Sequence, residues 1–541
     1  MNHLYDRPWY NVYPPEMIAG IKIPEVPLYT LLSMSTEKFG DHAAIIFEDQ
    51  KISYHELKDK VDRLAGGWNN LGLTKGEAIG LMLSNHPDYV ISYYAAQALG
   101  LVVVQINPMY TPRELLQIAS DSELKFIVIE EAYLPTVIQV NDIHPFNNLF
   151  VSGENSPNSD EFLLLSQLIS RSDPFKKITP ISVKEDVAVI QYTGGTTGKM
   201  KGAMLTHYNL VSNVIQSYSM YHNRMKFGQE IVLTATPLYH VYAMTSAMNL
   251  GIYIGASLLL FKKFNVSYVL EKIQTYKPTF FPGVPKMYIA FINYPNVESY
   301  GLDSIKICSS GSAPLPVEVI KKFEALTGST IGEGYGLSET SPSTHRNPPE
   351  AARKIGSIGI PLPGTDCKII DEDSNELPPK SVGELVIKGP QVMKGYWKRE
   401  EETSQFLKNG WLYTGDLALM DEEGYFYIIG RKKEMIILGG FNIYPQEVES
   451  VLYEHPDVKE AAVVGILDRE NGEEVKAYIV PKDDCEIDLE ELKGHCYRNL
   501  TRYKVPKYFE IRTTLPRNTV GKLLKRKLVE EEQLKLKAEL T

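Results

Sequence analysis

From about Tyr29 to about Lys184, apolar positions recur alternately at helical and at strand spacing. Asp88–Leu99 reads as a helix, and the unbroken apolar run Leu101–Ile106, closed by Asn107-Pro108, reads as a buried strand. Such alternation predicts a layered α/β lobe. A strand over Ala188–Tyr192 then runs into a Gly/Thr-rich loop, a helix begins near His207, and similar alternation to about Thr340 predicts a second lobe. From Gly356 to Tyr427 the strands shorten and Gly- and Pro-rich turns separate them, as in Leu385–Pro390, which predicts a small β-rich subdomain. Beyond Arg431-Lys432-Lys433 come a helix near Gln446–Glu454 and strands near Ala461–Ile466 and Val475–Val480. The expected class is therefore α/β: a large region over residues 1–431, made of two layered lobes and the β-rich subdomain, then a compact α+β domain over 432–541. The Lys/Glu/Leu-rich tail beyond Lys522 reads as a solvated helix.

Val241–Phe261 carries no charged residue and by length alone could span a bilayer. Thr245, Ser246, Asn249, Gly251, Gly255 and Ser257 interrupt it, so it reads as a buried helix followed by a buried strand over Ala256–Phe261. Composition agrees with a globular enzyme: 541 residues, 43% hydrophobic and 23% charged. The net charge of −11 argues against a nucleic-acid partner, because phosphates require a basic face. Cys308, Cys367, Cys485 and Cys496 show neither metal-ligand spacing nor the density of a disulfide scaffold, and Met1–Trp9 lacks a signal-peptide pattern. The chain reads as cytoplasmic, with peripheral contact to the inner membrane face left open.

The most informative run is Tyr192-Thr193-Gly194-Gly195-Thr196-Thr197-Gly198-Lys199-Met200-Lys201-Gly202. Backbone N–H groups and hydroxyls between Thr193 and Lys199 can close around phosphate oxygens while lysines supply charge. A Walker A loop would need Gly in place of Thr193 and Ser or Thr in place of Met200, so that reading fails at both ends. Gly332-Glu333-Gly334-Tyr335-Gly336-Leu337-Ser338-Glu339-Thr340 offers an aromatic face with a carboxylate nearby. In Tyr413-Thr414-Gly415-Asp416, the Asp416 carboxylate has two oxygens able to accept from neighbouring ribose hydroxyls.

These motifs, over nearly the whole chain, resemble the acyl-adenylate-forming (AMP-binding) superfamily, in wording closest to bacterial long-chain fatty-acid-CoA ligases. The resemblance implies that ATP and AMP are bound by Thr193, Gly194, Gly195, Thr196, Thr197, Gly198 and Lys199, and by Gly311, Ser312 and Ala313 at the adenine edge. Gly334, Tyr335 and Gly336 would flank the base, Thr340 would contact phosphate, and Asp416 and Arg431 would reach the ribose. It implies Mg2+ at Glu339 and Thr196, both also assigned to catalysis. Lys522, in Leu515–Lys522, would bridge the acid and the α-phosphate. By the same resemblance the C-terminal domain is mobile about a hinge at Lys433, and Gly439, Gly440 and Phe441 meet coenzyme A, the co-substrate. His240, within Pro237–Tyr242, stands at an acyl pocket with Val241, Met244 and Gly283.

The implied activity is an acyl-CoA synthetase, an acid–thiol ligase acting on a medium- or long-chain fatty acid through its acyl-adenylate, as a monomer or homodimer. Alternatives on the same motifs are an aryl-acid (4-coumarate-type) CoA ligase and an adenylating enzyme that uses a carrier protein or oxygen as acceptor. A catalytically dead relative would be expected to have lost Lys522, Glu339 or the phosphate loop, and all are present. The Trp that follows the motif histidine in some long-chain relatives is missing after His240.

Overall fold

The computed structural model describes residues 7–14, 17, 20–153, 162–194, 200–313, 315–349, 352–438, 441–468, 472–482, 485–518 and 521–539. By packing, the chain forms two compact units: residues 1–366 with 387–412, and residues 367–386 with 413–541.

The first unit contains two large sheets. One has, in spatial order, Gly395–Tyr396, Met200–Thr206, Val187–Gly194, Val102–Gln105, Ala78–Met82, Phe126–Glu130, Asn148–Ser152 and Leu163–Leu164. It is parallel from Val187–Gly194 to Leu163–Leu164. Every residue of Val102–Gln105 is buried, which explains its unbroken apolar run, since a central parallel strand is covered on both faces. The helix Pro87–Leu99 is almost wholly buried, with His86 as its N-cap and Gly100 at φ 71° closing it.

The other sheet runs Ile360–Pro361, Ser343–Arg346, Ile331–Gly336, Ile307–Ser310, Phe280–Gly283, Ile231–Thr234, Ser257–Leu260, Ala43–Phe47 and Gln50–Ser53. Its strands are parallel from Ala43–Phe47 to Ile331–Gly336 and antiparallel at both margins. On one side, Phe281, Tyr288, Phe291 and Phe323 form an aromatic cluster within a larger apolar core. The uncharged stretch is internal, as expected: Val241–Ala243 is α-helical, Met244–Asn249 π-helical and Leu250–Tyr253 α-helical, before the strand Ser257–Leu260. Among the described residues no helix is long and apolar enough to cross a membrane.

The β-rich stretch is less self-contained than its turns suggest. Ile360–Pro361 and Gly395–Tyr396 are each too short to form a sheet alone and instead edge the two large sheets. Asp366–Ile370, Gly383–Lys388, Trp411–Met420, Leu407–Lys408 and Phe426–Arg431 make a smaller sheet, most of whose residues belong to the second unit. Packing thus groups Cys367–Val386 and Tyr413–Arg431 with the C-terminal residues, whereas the sequence placed the division at 431/432.

The last sheet is Phe441–Ile443, Ile436–Leu438, Gly472–Pro481 and Val458–Asp468, with Tyr508–Ile511 parallel to Gly472–Pro481. Val463 and Val475 pack with Val448, Leu452 and Leu492 of the helices Pro445–Tyr453 and Leu489–Asn499. The alternate positions Ala462, Val464 and Tyr478 pack with Leu515 and with Leu528 of the helix Lys525–Glu539. The tail is therefore helical but not solvated all round, as its composition had suggested: Leu528 is fully buried and Leu534 is 66% exposed. Leu528→Ala should cost about 2–5 kcal/mol and Leu534→Ala less than about 0.5 kcal/mol. Chemical denaturation of the two variants checks this ranking.

Candidate functional site

In the first unit the strands Val187–Gly194 and Met200–Thr206 are antiparallel partners, with Thr193 opposite Lys201 and Gly194 opposite Met200. Gly195, Thr196, Thr197, Gly198 and Lys199, expected to hold phosphate, lie outside the described residues. The base of this hairpin is firmly held. Tyr192 Oη donates to Asp121 Oδ2 at 2.7 Å, and Arg399 meets Asp121 Oδ1 at 3.0 Å. Lys201 pairs with Glu402 at 2.6 Å and lies 5.3 Å from the Tyr396 ring centroid.

The strands Ile307–Ser310 and Ile331–Gly336 are parallel neighbours, so the segments at their C-terminal ends are adjacent, the usual place for a ligand in an α/β sheet. Gly311, Ser312 and Ala313 follow the first strand, with Ser312 at φ 71°. Gly334, Tyr335 and Gly336 end the second. Tyr335 is paired across the sheet with His345, their ring centroids 5.9 Å apart in an edge-on contact. The chain then makes a tight turn. Thr340, buried, accepts from the Leu337 N–H at 3.0 Å and sets its hydroxyl against the carbonyls of Leu337 and Pro342. The Glu339 carbonyl accepts from the Met393 N–H at 2.8 Å, and its carboxylate Oε1 accepts from Tyr396 Oη at 2.7 Å. Burial and the Glu339 charge raise the Tyr396 phenol pKa well above its ordinary value, so it stays a donor.

His240 caps the helix start, its Nδ1 accepting from the Tyr242 N–H at 3.3 Å. Val241 and Met244 are buried, and Gly283 ends the strand Phe280–Gly283, with the Phe281 and Tyr288 rings filling the space a side chain there would need. Tyr242 Oη donates to the Ser309 carbonyl at 3.1 Å, tying the histidine turn to the strand Ile307–Ser310.

In the second unit, Asp416 and Arg431 are antiparallel partners, and Asp416 Oδ1 is 3.2 Å from Arg431 Nε. The structure thus brings together two residues proposed from separate motifs. Asp416 is 4% exposed, and its N–H donates to Thr414 Oγ1 at 3.1 Å. Lys433 lies in the 3-10 turn Lys432–Glu434. Lys522 is exposed in a tight turn, its N–H donating to Asn518 Oδ1 at 2.8 Å and its carbonyl accepting from the Asn518 N–H at 2.9 Å. Arg517 steadies this turn from Glu460 at 2.9 Å. Gly439 and Gly440 lie outside the described residues, and Phe441 is 55% exposed, stacked on Tyr503 with centroids 4.7 Å apart.

Sequence reasoning missed Tyr396, which orients Glu339 from a distant segment. Its only local signal is an aromatic residue after Gly395, too common to stand out.

A family model described as AMP-binding enzyme matches residues 32–397, and one described as AMP-binding enzyme C-terminal domain matches 447–522. The chain is 42% identical to a long-chain-fatty-acid–CoA ligase of Bacillus subtilis (strain 168), over 97% of this chain and 98% of the relative. ATP-bound MatB from Rhodopseudomonas palustris superposes with a TM-score of 0.86 at 30% identity, covering 93% of this chain and 98% of MatB. The anthranilate CoA ligase AuaEII in complex with anthranoyl-AMP superposes with a TM-score of 0.87 at 25% identity, covering 94% of this chain and 98% of that one.

A Cβ on Gly336 would lie 2.2 Å from the Pro342 carbonyl oxygen, and that backbone cannot give way without opening the turn that holds Thr340. Gly336→Ala should therefore weaken ATP binding by about tenfold or more, read by titration calorimetry. The control Gly494→Ala, in a helix with only the flexible end of Arg498 at 3.4 Å, should leave it unchanged.

Proposed function

This chain belongs to the AMP-binding enzyme family, and from that premise we propose that it is an AMP-forming acid–thiol ligase that activates a medium- or long-chain fatty acid with ATP and passes the acyl group to coenzyme A. End-to-end similarity to a relative named for that reaction is the observation that carries this reading.

In the first half-reaction a carboxylate oxygen of the acid attacks the α-phosphorus and the bond to pyrophosphate breaks. No proton need move, so the requirement is orientation and charge neutralisation. Tyr335 offers its ring to adenine, and the segments Gly311–Ala313 and Gly334–Gly336 offer backbone polar groups to its edge. Asp416 accepts from the ribose hydroxyls, and its ion pair aims Arg431 at the ribose or phosphate. Thr193 to Lys199 close on the phosphates, and Lys522 bridges the acid and the α-phosphate. Thr340 reaches phosphate by exchanging one of its turn hydrogen bonds. A hard carboxylate oxygen with phosphate oxygens is a donor set suited to Mg2+, so Glu339, held by Tyr396, and Thr196 would hold the ion, which supplies charge neutralisation at the phosphates.

In the second half-reaction the thiol attacks the adenylate carbonyl and AMP leaves. Residues 432–541 turn about Lys433 between the two steps. Gly439, Gly440 and Phe441 line the path of the thiol arm, and His240, Val241, Met244 and Gly283 border the acyl group.

Pyrophosphate release measured over acids from acetate through palmitate to coumarate, with and without CoA, tests this. Release should require an acid, rise towards the longer chains and be followed by thioester with CoA. If no acid stimulates release, acid activation is refuted, and if release occurs without thioester, the transfer half is. Lys522→Ala should lose acid-dependent release by about 100-fold or more yet convert supplied acyl-adenylate to thioester. The reverse pattern would overturn the role of Lys522.

A further inference from the structure

The loop that carries Lys522 is closed at its base: the Leu524 N–H donates to the Pro516 carbonyl at 2.8 Å, and Arg517 and Leu523 form an isolated antiparallel bridge. Closure sets the shape of the loop, and its place on the domain is set by ion pairs to neighbouring elements. Arg517 and Glu460 are 34% and 32% exposed, so water weakens their pairing. Lys525 and Glu449 are only 14% and 13% exposed, with Lys525 Nζ 2.7 Å from Glu449 Oε1. The same oxygen accepts from the Val463 N–H at 2.7 Å. This largely buried pair thus joins the start of the helix Lys525–Glu539 to the helix Pro445–Tyr453 and to the strand Val458–Asp468.

Lys525 is not placed there for the benefit of its own helix. Lys525-Arg526-Lys527 puts three cations and no acid in the first turn, the end at which the helix dipole disfavours positive charge. Arg526 is compensated within the helix by Glu530 at 2.6 Å, whereas Lys525 is compensated from outside it, by Glu449 and, at 3.8 Å, by Glu434. Glu434 follows Lys433 directly. One ammonium therefore reaches from a point three residues beyond Lys522 to the residue next to the proposed hinge, and its burial withholds it from substrate.

We infer that Lys525 is a positioning residue for the first half-reaction, holding the Lys522 loop in fixed relation to the hinge segment so that rotation about Lys433 carries both as one rigid body. This rests on the reading in which Lys522 bridges the acid and the α-phosphate, and deepens it. An error of about 1 Å in placing a reacting group can cost about 100-fold in rate, so a loop anchored only through the exposed Arg517–Glu460 pair would deliver Lys522 poorly. The second half-reaction uses Gly439, Gly440 and Phe441 rather than this loop, and does not need the tie.

The test measures two rates in the full chain: acid-dependent pyrophosphate release with ATP and palmitate, and thioester formation from supplied palmitoyl-adenylate and CoA. Lys525→Met should lower kcat for release by about tenfold or more with little change in KM for ATP, and leave thioester formation unchanged. Lys525→Arg, which keeps a cation opposite Glu449, should restore most of the release. The double variant Lys525→Met with Glu449→Gln leaves no uncompensated buried carboxylate, so it should regain the stability lost in the single variant yet stay equally deficient in release. Lys476→Met breaks another buried pair of this unit, with Glu510 and Glu532, and should lower stability without separating the two rates. Recovery of release in the double variant, equal loss of both rates in Lys525→Met, or the same split in Lys476→Met would overturn the assignment. If Lys525→Met fails to fold, the double variant decides. Lys522→Ala, run alongside, separates the two readings: if it keeps release, the role of Lys522 falls and that of Lys525 with it, whereas if it loses release and Lys525→Met does not, only the role of Lys525 falls.

Discussion

The arrangement depends on one strand that withholds side chains from a face of its sheet. In Gly332-Glu333-Gly334-Tyr335 the period of two puts both glycines on one face and both larger residues on the other, before the register with the next strand shifts at Gly336. Glycine in a strand costs backbone entropy and contributes no packing, so such a strand needs support from its neighbours. It has a parallel partner in Ile307–Ser310 and an antiparallel one in Ser343–Arg346, and it then turns back through Ser338–Thr340. The two faces acquire different uses. Tyr335, the residue proposed to meet the base, stands on one, while on the other a Cβ at Gly332 or Gly334 would lie within 4 Å of the Tyr221 and Arg346 side chains.

The second unit solves a different problem, that of holding an exposed lysine in place. Lys522 is exposed, and the turn around it supplies order: Asn518 closes it and Arg517 fastens it to Glu460 on the strand Val458–Asp468. Immediately after it, the helix Lys525–Glu539 is anchored by Leu528 in the core, and Lys525 pairs with Glu449 at 2.7 Å. Burial raises the Glu449 carboxyl pKa and the Lys525 ammonium opposes that rise, so the pair is tethered more by geometry than by net Coulombic gain. Lys525 also lies 3.8 Å from Glu434, next to Lys433, so one side chain touches both the segment after the lysine turn and the proposed hinge.

How much of this was legible depended on whether the signal was local. The buried helix Pro87–Leu99, the strand Val102–Gln105 and the helix Pro445–Tyr453 stand where periodicity put them, because each element's own burial writes the pattern. The motif residues could be named one by one, but the pairing of Asp416 with Arg431 became visible only once their strands were in register. Contacts set entirely by tertiary structure left no trace. Tyr396 reaches Glu339 because a two-residue strand edges the sheet beside Met200–Thr206, and nothing in Gly395-Tyr396-Trp397 announces that pairing. Leu528 was concealed by its setting, with Val529 between flanking lysines and glutamates in a helix whose overall polarity suggests solvent.

Charge distribution carries the argument one step further. A chain with net charge −11 that handles anionic substrates cannot attract them by its overall field, so each positive charge must be placed where it acts. Many cations of the described residues are given carboxylate partners, as Lys201 is by Glu402 and Arg431 by Asp416. A paired cation is fixed in direction but partly neutralised, which suits orienting a substrate better than capturing one. Arg346 departs from that pattern: it is buried, its Nε and Nη1 have no hydrogen-bond partner among the described residues, and its guanidinium lies 4.6 Å from the Tyr221 ring centroid. Folding can keep such a group only if its cost is spread over the sheet around it. The strand that withholds its side chains takes part in that arrangement, since a Cβ on Gly334 would lie 3.9 Å from the Arg346 Nε and one on Gly332 3.8 Å from the hydroxyl of the Tyr221 ring on which the guanidinium rests.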